Sequence, residues 1–175
     1  MQLPINTKSA YTGIMLSFAL ILSYLESLVS FDMLFPGIKL GLSNFIVLIA
    51  LYVFGPIFAF ALCISKAVLS SLLFGSMAAM IYSLCGAVLS FAIMFVLYRC
   101  GDFHIPVISA AGGVFHNLGQ FIAAVYIMKT FIPGFWALYL SVLIISGLTT
   151  GLITGFIAQL AFPYIKKIIS KGDRI

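Results

Sequence analysis

The feature that most constrains the fold is a series of long apolar segments, separated by short stretches that hold most of the prolines and charges. Most of these segments approach the ~20 residues that an α-helix needs to cross the hydrocarbon core of a bilayer. Only 7% of the 175 residues are charged, whereas 63% are hydrophobic. Soluble domains carry about 25% charged residues, so this composition excludes an ordinary water-soluble fold. The sequence therefore predicts an all-α integral membrane protein.

Six spans are predicted, and they form a single transmembrane domain over residues 1–175. Pro163 is predicted to end the last span, because proline cannot continue the helical hydrogen bonding. Residues 132–134 are predicted to be a turn, since they contain a Pro-Gly pair. The predicted spans cover residues 10–29, 36–54, 56–74, 76–98, 107–128 and 135–162.

The positive residues predict the orientation of this bundle. With six spans, both termini and two of the loops share one side of the membrane. That side carries Lys8, Arg99, Lys166, Lys167, Lys171 and Arg174, and the other carries Lys39 and Lys129. Lysine and arginine accumulate on the cytoplasmic side, so we expect a multi-pass protein with both termini in the cytoplasm. Trp136 and Tyr139 are then expected to anchor the outer interface.

Polar side chains within the predicted spans carry most of the functional information. A charged side chain at the bilayer centre costs about 2.5–3.5 kcal/mol on the insertion scale, so it must face a partner, a cavity or a ligand. One alternative is a structural ion pair between Glu26 and Lys66. The other is an outward-facing cavity that binds a small polar or anionic molecule. The candidate binding residues are Glu26, Lys39, Asn44, Lys66, His116, Asn117 and Gln120.

Helical spacing orders the polar residues of the fifth span. His116 and Gln120 are one turn apart and share a face. Asn117 points about 100° away, which favours a hydrogen bond to a neighbouring helix. Lys39 follows Pro36, near a predicted helix N-terminus, where it either holds an anion or extends to the lipid headgroups.

Small residues recur every fourth position in two spans, which allows another helix backbone to come close. Gly147, Gly151 and Gly155 do so in the last span, and packing inside the protein's own bundle is the favoured interpretation. Ala19, Ser23 and Ser27 do so in the first span, where a face offered to a partner subunit is an alternative.

Few features of the sequence support an enzymatic function. It has no GxxxxGK[ST] phosphate loop and no HExxH zinc motif. Its four acidic residues are not close in sequence, so no acidic cluster for magnesium is present. We therefore expect a non-enzymatic chain with no catalytic residues, metal ligands or cofactor, and without nucleic acid as a partner.

Four runs resemble one known family. They are PGIKLGLSNFIVLIALYVFG (36–55), SSLLFGS (70–76), YSLCGAVLS (82–90) and GGVFHNLGQ (112–120). They are similar to the bacterial Gx transporter family, also named heptaprenyl diphosphate synthase component I. That family resembles the substrate-binding S components of energy-coupling-factor (ECF) transporters, which are six-helix proteins of the cell membrane.

The resemblance implies uptake of a small molecule such as a vitamin, a flavin, or an isoprenoid or quinone precursor. It also implies a coupling subunit and two ATPases as partners, which would supply the transport energy. Two alternatives stay open. The chain could be a membrane accessory subunit of heptaprenyl diphosphate or quinone synthesis, although the aspartate-rich motif of prenyl synthases is absent. It could also be a membrane component of flavin-linked extracellular electron transfer.

Overall fold

The computed structural model describes residues 5–28, 41–128 and 133–172. Every regular element in these ranges is an α-helix, which confirms the predicted all-α class. All of them except α2 are long and apolar enough to cross a membrane, which indicates a multi-pass membrane protein. The helices are α1 (Ile5–Leu28), α2 (Leu42–Val53), α3 (Pro56–Phe74), α4 (Met77–Cys100), α5 (Ile105–Met128) and α6 (Pro133–Gly172).

Local signals in the sequence fix several helix ends. Gly55 adopts a φ of 90°, which side chains disfavour, and Pro56 then occupies the first turn of α3. Ser76 caps α4, because its Oγ accepts a hydrogen bond of 3.2 Å from the Ala79 N–H. Gly101 ends α4 with a φ of 79°. These ends lie within two residues of the predicted boundaries of the third and fourth spans.

The last helix differs from its prediction at both ends. Pro133 and Gly134 belong to α6 rather than to a turn, and Pro133 suits the first helical position. The prediction that Pro163 ends the span is wrong, because α6 continues to Gly172. Pro163 is exposed, whereas Ile165 and Ile169 beyond it pack against the hydrophobic core, which keeps the final turns helical.

The short helix α2 forms the centre of the core. Its residues 47–51 are at most 2% exposed, and the helix packs against α1, α3 and α6. A helix that is apolar on all sides is stable only when it is buried in this way. Twelve residues span about 18 Å, which is too short to cross a bilayer alone. Residues 36–40 of the predicted second span lie outside the described residues.

The glycine stripe of α6 packs inside the protein's own bundle, as predicted, and the helix it contacts is α5. A Cβ atom on Gly147 would lie 2.7 Å from the carbonyl oxygen of Gly113, and one on Gly151 would lie 2.7 Å from Cα of Ala110. A Cβ atom on Gly155 would lie 2.6 Å from Cα of Pro106. The two helices therefore approach through backbone, which holds the polar face of α5 in a fixed position.

Candidate functional site

A cavity of about 340 Å³ lies between the helices, in the half of the bundle away from the start of α1 and the end of α6. All six helices contribute polar side chains to its wall. The exposed residues 74–76, at the end of α3 and in the link to α4, form part of its wall. The polar wall residues include Ser23, Glu26, Ser27, Ser43, Asn44, Lys66, Ser70, Ser71, Tyr82, Ser83, His116, Asn117, Gln120, Tyr139 and Thr150.

On one wall, a hydrogen-bond network joins the two buried charges. Lys66 Nζ on α3 donates to Asn44 Oδ1 at 2.6 Å and to Ser43 Oγ at 3.1 Å. Ser43 Oγ in turn donates to Glu26 Oε2 on α1 at 2.9 Å. Glu26 and Lys66 are only 6% and 5% exposed. Buried charges need this kind of compensation, so the network ties α1, α2 and α3 together beside the cavity.

The opposite wall carries an imidazole and an amide from α5. The side chains of His116 and Gln120 meet at 3.2 Å between their Nε2 atoms, on the shared face that helical spacing predicts. Because an amide nitrogen only donates, this contact is a hydrogen bond when His116 Nε2 carries no proton. Gly86 of α4 faces the pair, since a Cβ there would lie 3.0 Å from Gln120 Cγ.

Asn117 connects the cavity wall to the neighbouring helix. Its Nδ2 donates to the Leu143 carbonyl at 2.8 Å and to Ser146 Oγ at 3.2 Å, both on α6. Asn117 points about 100° away from the shared face of His116 and Gln120, as predicted, and this direction brings its side chain to α6. Asn117 is 5% exposed, so these hydrogen bonds form away from solvent.

The structure thus places six of the seven predicted binding residues on one cavity; the seventh, Lys39, lies outside the described residues. Ser43 links Glu26 to Lys66, and binding of a ligand by the two charged residues stays a prediction. Both residues belong to a compensated polar network, and both also line the cavity.

The small-residue stripe of α1 lies partly inside the protein and partly at its surface. Ala19 is fully buried in the hydrophobic core, and Ser23 and Ser27 line the cavity, with Ser27 exposed. A partner surface formed by these three residues stays a prediction.

Sequence reasoning missed several cavity residues, most of them hydroxyls. Ser43 carries the network between Glu26 and Lys66, and its position directly before Asn44 in the KLGLSN run was the available signal.

The expected role of Trp136 as an interface anchor is wrong. Trp136 is only 5% exposed, and its ring centre lies 5.3 Å from that of Phe121.

The Asn117 contact leads to a measurable prediction. Asn117→Leu removes both hydrogen bonds to α6, and we expect it to lower the free energy of unfolding by about 0.6–2 kcal/mol. Ser146→Ala in both backgrounds completes a double-mutant cycle, measured by denaturation with sodium dodecyl sulfate. Ser141→Ala, at an exposed position of α6, is the control. Additive effects of Asn117→Leu and Ser146→Ala would contradict a direct interaction between these side chains.

The described residues contain no group of three or more His, Cys, Asp or Glu side chains that could hold a metal ion. Cys63, Cys85 and Cys100 are free thiols. The described part of the site is a cavity lined largely by hydrogen-bonding side chains, two of which are the buried charged groups of Glu26 and Lys66.

Comparison with known proteins adds one result. No curated protein and no solved structure matches the chain. A family model described as heptaprenyl diphosphate synthase component I matches residues 15–161, and this range includes every described cavity residue. The chain therefore belongs to the heptaprenyl diphosphate synthase component I family.

Proposed function

We propose that this protein is a membrane-embedded binding subunit that captures a small polar molecule for uptake, in the manner of an ECF S component. The cavity is the single observation that carries the proposal. It lies among the five helices that are long and apolar enough to cross a membrane, and polar side chains from these helices and from α2 line it. Placing so many polar groups at bilayer depth is costly, and a ligand that uses them explains why they converge.

The position of the cavity supports capture from outside the cell. It occupies the half of the bundle opposite the start of α1 and the end of α6, where Lys8 and Lys166 lie. Under the positive-inside rule that opposite half faces outward, and both termini are cytoplasmic. Candidate ligands are a vitamin, a flavin, or an isoprenoid or quinone precursor. Energy for transport would come from a partner coupling subunit and two ATPases.

The family name favours a second candidate, an accessory membrane subunit of heptaprenyl diphosphate synthesis. The two functions are separable by experiment. An accessory role predicts that prenyl transfer in membranes falls when the gene is deleted, whereas uptake of small molecules does not change. A binding subunit predicts the reverse result.

Filling the cavity should strongly reduce ligand retention. Ser83 lines the cavity and is 6% exposed, so Ser83→Phe would place a ring in the space that a ligand needs. We expect the amount of any molecule carried through purification in mild detergent to fall at least about tenfold, which corresponds to ~1.4 kcal/mol of binding free energy. Mass spectrometry of the extracted molecules measures the change.

Ser141→Phe is the matched control, because Ser141 is exposed on α6. Ser70→Phe, on the α3 wall, is a second filling variant in case Ser83→Phe does not fold. If the wild-type protein retains no more of any molecule than these two filling variants do, the proposal is wrong. The proposed assembly with two ATPases and a coupling subunit is tested separately, by asking whether these partners co-purify with the protein from native membranes.

A further inference from the structure

A second, much smaller cavity adjoins the first one, on the side of the described chain ends. It has a volume of about 10 Å³. Four residues line both cavities, namely Gly41, Asn44, Gly113 and Thr150. The residues that line the small cavity alone are Ser90, Met94, Ser109, Gly112, Gly151 and Thr154. The small cavity therefore extends the large one deeper between α4, α5 and α6.

The hydroxyl of Ser90 faces this small cavity. Hydroxyls inside helices commonly donate to the carbonyl four residues earlier, as those of Thr12 and Thr150 do here. Ser90 is only 3% exposed, yet its Oγ makes no hydrogen bond with the described part of the chain and is not sealed by packing. Because a buried polar group without a partner is costly, Ser90 indicates that the cavity holds one.

Ser109 and Thr154 supply a second polar group to the same cavity. Their hydroxyl oxygens lie 3.2 Å apart, and both residues are buried. The hydroxyl hydrogen of Thr154 is directed to the Thr150 carbonyl, 2.9 Å away, so Ser109 is the donor in the contact between them. The lone pairs of Ser109 Oγ then remain available. A water molecule that accepts a hydrogen bond from Ser90 can donate one to Ser109.

The size and the charge of the cavity both fit a single water molecule. A polar cavity of about 10–15 Å³ holds one water when two to four polar groups bond to it. Gly112 keeps this space open, since a Cβ atom there would lie 3.3 Å from Ser90 Oγ and 2.6 Å from Met94 Sδ. The described wall residues are all uncharged, whereas hard metal ions are usually bound by carboxylates. The wall therefore favours water over a metal ion.

We propose that the small cavity binds one water molecule, held by Ser90 and Ser109. Asn44 borders this water and also accepts a hydrogen bond of 2.6 Å from Lys66. The water thus continues the polar network of α1, α2 and α3 toward α4, α5 and α6. This site goes beyond the proposed function and does not depend on a ligand in the large cavity.

Radiolytic hydroxyl-radical labelling of the full chain in lipid nanodiscs tests for this water. Radicals that form from a bound water oxidise an adjacent methionine to the sulfoxide. Met94 lines the cavity and is 3% exposed, whereas Met77 is 67% exposed and serves as the internal reference. We expect labelling of Met94 in the wild type and loss of that labelling in Ser90→Val, because a valine methyl group takes up the space that the water needs. Ser141→Val, at an exposed position of α6, should leave the labelling unchanged.

The stability of Ser90→Ala gives a second test, in which the sign of the change decides. With a bound water, the substitution removes a hydrogen bond, so the midpoint of denaturation by sodium dodecyl sulfate should fall. In a dry cavity, alanine removes an unsatisfied buried hydroxyl, and the midpoint should rise or stay unchanged.

Two results would overturn the inference: equal labelling of Met94 in the wild type and Ser90→Val, or a midpoint of Ser90→Ala that does not fall. Thermal unfolding shows whether each variant is folded, and Ser109→Val replaces Ser90→Val if the latter is not. Neither measurement uses a ligand. A dry small cavity therefore contradicts this inference alone, whereas failure of the retention experiment contradicts the proposed function alone.

Discussion

Replacing Lys66 with methionine should lower the free energy of unfolding by about 3–5 kcal/mol, which is typical when one partner of a buried charge network is removed. Lys66 Nζ donates to Ser43 and Asn44, and through Ser43 it is linked to the buried carboxylate of Glu26. Without the ammonium group, the negative charge of Glu26 loses the compensation that this network supplies. The three N-terminal helices would lose their main polar connection.

Denaturation with sodium dodecyl sulfate measures this loss, and two further variants interpret it. Lys167→Met removes an exposed lysine, and we expect a change within about 1 kcal/mol, the range of an exposed ion pair. Glu26→Gln combined with Lys66→Met removes both charges, so the double variant should be more stable than the sum of the single effects indicates. Equal effects of Lys66→Met and Lys167→Met would show that the network does not stabilise the fold.

The same double variant decides what the charges contribute to binding. If it folds and still retains the endogenous molecule, Glu26 and Lys66 have a structural role at the edge of the site. If it folds and loses the molecule, the charges contact the ligand. Burial alone does not separate these cases, because both residues line the cavity and belong to the network.

Periodicity and backbone chemistry made much of this fold predictable. The position of Gly55 and Pro56 predicted the start of α3, and it does begin at Pro56. The spacing of His116 and Gln120 predicted a shared face, and their side chains meet there. These features depend on the geometry of one helix and its ends, so the sequence contains the information needed.

Other features depended on tertiary packing, which a single sequence specifies less directly. Pro163 follows the local rule for a helix end, but packing of Ile165 and Ile169 against the core outweighs it. Trp136 matches the composition of an interface, yet it fills a space beside Phe121. Ser43 is one of many serines, and only the approach of α1 and α3 gives it two charged neighbours.

Substituting Gly119 with alanine should lower the free energy of unfolding by about 1–3 kcal/mol, because overpacking at a close contact forces backbone shifts. A Cβ atom at this position would lie 2.7 Å from the carbonyl oxygen of Cys85 and 2.8 Å from Cα of Gly86. Both contacts are with backbone, so no side-chain rotation relieves them. Helices α4 and α5 would have to separate.

The effect of Gly119→Ala should extend to the cavity, since His116 and Gln120 lie on the same α4-facing side of α5, opposite Gly86. We expect weaker ligand retention together with the loss of stability. Gly13→Ala is the control, because no atom lies within 4 Å of a Cβ built there. An alanine at this helical position should stabilise by up to about 1 kcal/mol. If the two substitutions change stability equally, close packing of α4 and α5 does not hold the polar wall in place; opposite signs would show that it does.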